Sequence, residues 1–220
     1  MMSFSLCFED VLFTYPSKSG GFSLAMEHFS PGTCTAVLGK NGSGKTTLGK
    51  LAAGILKPDS GRVLYDGQDI VDWRLGRIGS RAGYLFQDPS RQIFAPCPLE
   101  EIAFPLKLRG MPKLEAEKKA RELLVEFELE SIQGSTTYTL SRGEKQRLAI
   151  AAIMGCEPCY FILDEPTTGL DQRRRDTLAG MLRGLIMRGV GIMLITHDRS
   201  FAKELGADIR IMEGGRLVDE

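Results

Sequence analysis

The chain has 220 residues, 43% of them hydrophobic, which is enough for one packed α/β domain and argues against disorder. Lys plus Arg balance Asp plus Glu at 28 each, and a zero formal net charge argues against a general nucleic-acid binder, which carries a basic excess. No apolar run approaches the ~18 residues of a membrane-spanning helix, the start Met1-Met2-Ser3-Phe4 lacks the basic region of a secretory signal, and five cysteines without paired spacing give no disulfide framework. The expectation is a cytoplasmic chain that reaches a membrane only through a partner.

The first thirty-odd residues alternate apolar and polar positions, with turn signals at Tyr15-Pro16-Ser17 and Ser19-Gly20-Gly21, which predicts antiparallel strands. Residues 35–38 predict a short apolar strand running into a glycine-rich loop, 46–54 a helix, and 62–65 and 83–86 further strands. Residues 99–153 turn helical in character, with apolar positions at helical spacing over 114–129. Cys156-Glu157-Pro158-Cys159 matches C-x-x-C but has no second pair to complete a zinc site, and reads as a turn entering the buried strand 160–163. Residues 173–188 predict a helix whose Arg173-Arg174-Arg175 run reads as a solvated face. Strands follow at 191–195 and 207–212, and Gly214-Gly215 predicts a closing hairpin. Strand and helix in alternation imply an α/β fold with a mostly parallel sheet covered on both faces. The expected layout is a single domain over 1–220. Residues 1–87 and 157–220 form a core with an antiparallel β part, and 88–156 form an inserted helical subdomain.

Gly39-Lys40-Asn41-Gly42-Ser43-Gly44-Lys45-Thr46 fits G-x-x-x-x-G-K-[ST] at every position. Glycines let successive backbone N–H groups turn toward phosphate oxygens, and the helix opening at Lys45 adds its positive end. Lys45 supplies a cation for the β- and γ-phosphates, and the Thr46 hydroxyl is placed for Mg²⁺. Gly39, Asn41, Gly42, Ser43, Gly44, Lys45, Thr46 and Thr47 are the expected nucleotide contacts. Asn41-Gly42-Ser43 also matches a glycosylation acceptor, a reading its place inside a phosphate loop rejects. The strand 160–163 ends in Asp164 and Glu165. Asp164 is the expected Mg²⁺ ligand, a hard cation preferring oxygen, and Glu165 the group that orients or deprotonates the attacking water. This is a P-loop NTPase pattern of RecA-like core. Asn41 is the only asparagine, so no Asn-Lys-x-Asp guanine reader exists and a common GTPase is excluded. A small-molecule kinase stays open at this point.

Leu140-Ser141-Arg142-Gly143-Glu144 sits at a helix start and is followed by Lys145-Gln146-Arg147-Leu148-Ala149-Ile150-Ala151. Here the chain resembles the ABC (ATP-binding cassette) ATPases, along almost its full length. Their signature usually reads Leu-Ser-Gly-Gly-Gln. The resemblance implies a dimer in which Ser141 and the Gly143 backbone of one subunit cap the γ-phosphate of ATP held by the other. It also implies that Tyr15 stacks on adenine, that Gln87 at a strand end contacts Mg²⁺ and the attacking water, and that His197 contacts the γ-phosphate. Asp171 would close the loop Thr168-Gly169-Leu170-Asp171 that communicates across the dimer. His28 matches nothing in the family and reads as a surface residue. Arg142 stands in place of the first signature glycine and Glu144 in place of the glutamine. The amide at 142 survives, a glycine-only conformation does not, and Glu144 suits a helix's first turn while adding negative charge near nucleotide.

Phe86-Gln87-Asp88-Pro89-Ser90-Arg91-Gln92-Ile93-Phe94-Ala95-Pro96, followed by Leu99-Glu100-Glu101-Ile102-Ala103-Phe104, is similar to the ATPases of energy-coupling-factor (ECF) and cobalt- or nickel-uptake transporters. The implied partners are a second ABC ATPase (a copy or a paralogue), a membrane coupling subunit and a substrate-binding membrane protein, with the chain peripheral on the inner face of the cell membrane. Many ATPases of that group carry a further C-terminal region, whereas this sequence stops soon after Gly214-Gly215, so the expectation is either reliance on the membrane partner for dimerisation or membership of a shorter variant. A non-transport ABC ATPase is the alternative, and it would need a long coiled-coil insertion or two cassettes. The loop Gln92-Ile93-Phe94-Ala95-Pro96 carries two large apolar residues without core periodicity, the expected docking surface for the membrane subunit. Packing of both inside the helical subdomain is the competing expectation.

Overall fold

The computed structural model describes residues 5–16 and 21–219; parts of the turns at 15–17 and 19–21 fall outside them. Two sheets share the fold. The first is antiparallel and forms from the N-terminal alternation: β1 (Leu6–Thr14) pairs with β2 (Gly21–Leu24), β3 (Glu27–Phe29) and β5 (Ser60–Tyr65), and β5 pairs with β6 (Gln68–Asp69). Leu6, Phe8, Val11 and Phe13 point inward, with a register shift between Glu9 and Leu12 where Asp10 takes a left-handed φ of 47°.

The second sheet has six strands in the order β11-β10-β4-β9-β8-β7. These are β4 (Cys34–Leu38), β7 (Ala82–Leu85), β8 (Tyr160–Asp164), β9 (Gly191–Ile195), β10 (Asp208–Glu213) and β11 (Arg216–Asp219). All pairs are parallel except the β10–β11 hairpin around Gly214-Gly215. β4, β8 and β9 are buried at every residue, so their alternation is read not as in-and-out but as one core against another. Val37, Ile162, Met193 and Ile195 face the antiparallel sheet and α1 (Lys45–Ala52). Ala36, Phe161, Leu163, Ile192 and Leu194 face the helices of the other side.

Those helices are α3 (Pro98–Leu108), α4 (Lys113–Glu126), α5 (Arg142–Gly155), α6 (Gln172–Met187) and the short α7 (Arg199–Glu204); α2 (Leu75–Gly79) lies before β7. Neither α2 nor α7 is long enough to show a helical period in the sequence. The helix expected over 114–129 stops at Glu126. Phe127 caps it and Glu128 turns through a left-handed φ of 55°, so Leu129 is buried by the turn and not by the helix. The run Arg173-Arg174-Arg175 is not a merely solvated face. Arg173 forks onto Glu128 with two bonds of 2.6 Å, Arg174 meets Asp171 at 2.8 Å and Arg175 meets Asp198 at 2.6 Å, tying α6 to α4's end and to the loop before α7. Cys156 and Cys159 are free thiols in the turn from α5 into β8, as read from the sequence, and His28 is exposed with Nε2 3.5 Å from Cys7 Sγ.

Helix α1 lies close on the sheet. A Cβ on Gly49 would come within 2.6 Å of Ile195 Cδ1, 3.2 Å of Tyr84 Cε2 and 3.3 Å of Ile162 Cγ2. In an open helix Gly→Ala stabilises by up to about 1 kcal/mol. Here overpacking, at about 1–3 kcal/mol, outweighs that gain. Gly49→Ala is expected to lower the urea midpoint without changing the slope; an increased midpoint would contradict this packing.

Candidate functional site

The site forms where the C-terminal ends of β4 and β8 meet the start of α1. The loop between β4 and α1 is shaped by close approach: a Cβ on Gly39 would lie 2.4 Å from the Met212 carbonyl oxygen and 2.8 Å from Ser43 Oγ. Gly44 caps α1 at φ 113°, a conformation other residues avoid. The Gly215 N–H of the β10–β11 turn donates to Ser43 O at 3.0 Å, so the hairpin buttresses the loop from behind. Lys45 Nζ donates to the carbonyls of Gly39 (2.7 Å) and Lys40 (3.0 Å). Ser43 Oγ is buried with no hydrogen-bond partner among the described residues, the condition of a group that an anion would satisfy.

The two carboxylates at the end of β8 have separate surroundings. Asp164 is 1% exposed; its Oδ2 accepts from Thr46 Oγ1 at 2.9 Å and Tyr84 OH at 3.3 Å. Burial raises its pKa above the ordinary carboxylate value, opposed by the Thr46 and Tyr84 bonds. Glu165 takes a left-handed φ of 53°, which turns its side chain back toward β9. Its Oε1 lies 2.9 Å from His197 Nδ1, and its Oε2 accepts from Thr196 Oγ1 at 3.3 Å. A hydroxyl and a carboxylate on facing elements are the oxygen donors a Mg²⁺ ion takes, so Thr46 and Asp164 fit that ion by chemistry.

A cleft of about 610 Å³ opens over these groups. Asn41, Gly42, Ser43, Gly44, Lys45, Thr46, Thr47, Gln87, Asp164 and Glu165 line it, together with Tyr15, whose ring packs edge-on against Phe13 at 4.8 Å and whose hydroxyl lies 3.3 Å from Thr47 Oγ1. Gln87 lies two residues beyond the end of β7, not in the strand itself. The structure adds residues that the sequence reading missed. Tyr84 and Thr196 hold the two carboxylates, Phe13 and Phe22 form an apolar wall, and Gln92 bridges Tyr84 O and Phe86 N at 3.3 and 3.2 Å. Thr196 stood next to His197, where a buried β-branched hydroxyl ending a strand was a usable signal; Gln92 carried none.

Ser141, Gly143 and Asp171 do not line this cleft. Ser141 caps α5 in a capping box, its N–H and its hydroxyl each donating to Glu144 Oε2 at 2.7 Å. Those bonds hold the Glu144 carboxyl below the usual carboxylate range. Glu144 is therefore bound to its own helix end. Arg142 is the first residue of α5 and is not among the residues with positive φ, so its position has no need of glycine. Asp171 caps α6, its Oδ1 accepting from Arg174 N at 2.9 Å.

A sequence profile of the ABC transporter family matches residues 25–168. The chain belongs to that family. It is an ATPase cassette with the P-loop fold of its relatives. A putative ABC transporter ATP-binding protein of Pyrococcus horikoshii is 38% identical over 96% of this chain and 80% of its own length. One of Methanosarcina acetivorans is 38% identical, but the chain spans only 34% of its length. The energy-coupling factor transporter ATP-binding protein EcfA of Methanothermobacter thermautotrophicus is 35% identical over 96% of this chain and 68% of its own. Among solved structures, cbiO1 of Clostridium perfringens, part of the ABC transporter complex cbiONQ, is 32% identical with a TM-score of 0.82 over 97% of this chain and 86% of its own. A cassette solved as a dimer in a post-hydrolysis state with ADP and Pi is 25% identical with a TM-score of 0.86, each chain covered to 96%. No helix among the described residues is long and apolar enough to cross a membrane.

Asp164 gives a test in which stability and function part. Its pKa is raised in the fold, so the ionised form opposes folding above that pKa and the penalty disappears as pH falls through it. Asp164→Asn is expected to raise the melting temperature of the nucleotide-free chain at pH 8, with the gain shrinking toward pH 4. Mg²⁺-dependent hydrolysis should fall on the order of 10²-fold or more. A lower melting temperature at pH 8 would contradict the assignment of buried charge.

Proposed function

We propose that the chain hydrolyses ATP as the motor of an importer of the energy-coupling-factor or cobalt/nickel type, at the inner face of the cell membrane. The observation that carries the hydrolytic reading is the pair of carboxylates at the end of β8, one bonded to the P-loop threonine and the other to His197. The importer subgroup is supported by the similarity to EcfA and to cbiO1, and by the Gln87–Pro96 and Leu99–Phe104 sequence that resembles those ATPases. The partners that follow from it are a second ABC ATPase, a membrane coupling subunit and a substrate-binding membrane protein.

In this reading Lys45, Ser43 and the loop amides bind the phosphates, and Tyr15 with Phe13 supports the adenine. Thr46 and Asp164, with Gln87 beside them, would hold Mg²⁺, which would neutralise charge on the β- and γ-phosphates. Glu165 takes a proton from water as its oxygen bonds to the γ-phosphorus and the bond to the ADP oxygen breaks. His197 and Thr196 fix both oxygens of that carboxylate. Ser141 and the amide of Gly143 come from the second chain, and Asp171 lies on the loop between the sites. Closing the pair over two ATP and reopening after hydrolysis moves the membrane partner.

The docking surface divides the earlier pair. Ile93 packs against the helical core, while Phe94 is 65% exposed and rests edge-on against Phe104 at 5.1 Å. Phe94 lines a cleft of about 370 Å³ together with the apolar side chains of Ile55, Leu75, Phe86 and Pro105. That is where a short amphipathic helix of a membrane subunit would seat.

Two tests follow. Glu165→Gln should keep ATP binding, slow hydrolysis on the order of 10²-fold or more, and accumulate an ATP-bound dimer on size exclusion, while Lys45→Ala should bind nucleotide weakly and give no such dimer. Wild-type turnover by Glu165→Gln would reject it as the base. Phe94→Asp should leave ATP binding near normal and abolish co-purification with the membrane subunit; loss of ATP binding would make Phe94 a structural residue and reject the docking surface.

A further inference from the structure

Gln146 is a primary amide with 0% exposure in the second turn of α5. Its Nε2 donates to the carbonyl oxygen of Pro166 at 3.1 Å, and its Oε1 has no hydrogen-bond partner among the described residues. A half-satisfied amide in a core is costly and is kept where the bond it does make has a use. Pro166 directly follows Glu165, the residue with φ 53°. A residue before proline is driven toward extended backbone, and a glutamate avoids positive φ; Glu165 is opposed on both counts. Such a conformation persists only where its surroundings over-determine it. On one side Glu165 N donates to Ile195 O at 2.8 Å, and on the other Thr168 N donates to Glu165 O at 3.2 Å. Leu170 N donates to Thr167 O at 3.1 Å, Thr196 and His197 hold the Glu165 carboxylate, and α5 adds the Gln146 bond to the carbonyl of Pro166.

The contact is wider than one bond. A Cβ on Gly143 would lie 3.1 Å from Gly169 O, and the stem of Arg142 comes within 3.8 Å of a Cβ on Gly169. The first turns of the signature helix thus lie along the loop 166–169 of the same chain. Gln146 is five residues from Ser141, about 7.5 Å along the axis.

We propose that Gln146 is a positioning residue. It holds Glu165 in its strained conformation, and so carries the engagement of Ser141 by ATP on the opposite chain to the carboxylate of its own chain's site. The proposal rests on Glu165 acting as the base. It gives the two ATP sites of a closed pair a mechanical link inside each chain, so that each site turns over about tenfold faster when the opposite one is filled.

The test uses the full chain with Gln146→Met and Gln146→Glu, and Glu165→Gln in parallel. Met keeps volume and removes the donor. The expected result is a kcat lower by about tenfold at saturating ATP, a KM for ATP within about twofold of wild type, and a Hill coefficient falling toward 1. Glu at a fully buried position has its pKa raised, and only its protonated form donates to Pro166 O. The activity of Gln146→Glu relative to wild type should therefore rise as pH falls from 8 to 6. Wild-type kcat and cooperativity in Gln146→Met, or a constant ratio for Gln146→Glu across that range, would overturn the proposal. So would failure of both variants to fold, which would make the amide a core residue. If Glu165→Gln hydrolyses at the wild-type rate, the failure lies with the base and not with Gln146.

Discussion

A polyphosphate and two carboxylates must share the end of one buried parallel sheet, and their mutual repulsion is the constraint around which the rest is arranged. Asp164 is nearly inaccessible and has its charge opposed by burial, yet it stands against the loop that has to receive more negative charge. The fold answers with fixed dipoles and with the Lys45 and Lys50 ammonium groups, both lining the cleft. The start of α1, the backbone of residues 39–46 and the Lys45 ammonium all converge there, while the Thr46 and Tyr84 hydroxyls take up one oxygen of Asp164. Glu165 is separated from Asp164 by its left-handed turn, which hands both its oxygens to Thr196 and His197. One peptide unit therefore divides the carboxylate bonded to Thr46 and Tyr84 from the one bonded to Thr196 and His197.

The parallel sheet exists to hold this edge. Its central strands are buried on both faces, so neither can shift without disturbing two cores at once: the antiparallel sheet with α1 on one side, the helices on the other. The tight approach of Gly49 to Ile195, Tyr84 and Ile162 fixes α1, and hence the phosphate loop, to the same strands that carry Asp164 and Thr196. Polar contacts join the helical part to that rigid body: Gln92 between Tyr84 O and Phe86 N, Arg109 on Ser80 O, Lys119 on Glu157, the amide of Gln146 on Pro166, and the forked Arg173–Glu128 pair. The pair is exposed, and its contribution to stability is small on that account; its use is to fix where α4 ends relative to α6.

Local chemistry was legible where the residue types leave no alternative. The phosphate loop, the strand ending Asp164-Glu165 and the helix opening at Ser141 stood in the sequence because glycines, a capping serine and a buried β-rich run each have one structural use there. Periodicity misled at Leu129, whose apolar side chain keeps the helical spacing but is buried only after Glu128 reverses the chain. It was silent on Thr196, Tyr84 and Gln146, because a polar side chain that serves by contacting a residue tens of positions away leaves no local pattern, and on Gln92, whose partners are the backbone groups of Tyr84 and Phe86. The arginine run read as solvated for the same reason: its partners Glu128 and Asp198 are distant in sequence. Of the pair Ile93 and Phe94, only the structure could assign one to the core and the other to the surface.

The central claim is that each ATP is held by the phosphate loop of one chain and the signature of another. The most direct measurement mixes two inactive variants, Lys45→Ala, with a disabled loop, and Gly143→Asp, with a disabled signature. The mixed pair contains one intact composite site, made of the loop from the second variant and the signature from the first. The account predicts that each variant alone is inactive and that ATP hydrolysis returns on mixing, with a maximum near equal amounts. Hydrolysis by Gly143→Asp alone at the wild-type rate, or no recovery in the mixture, would contradict it.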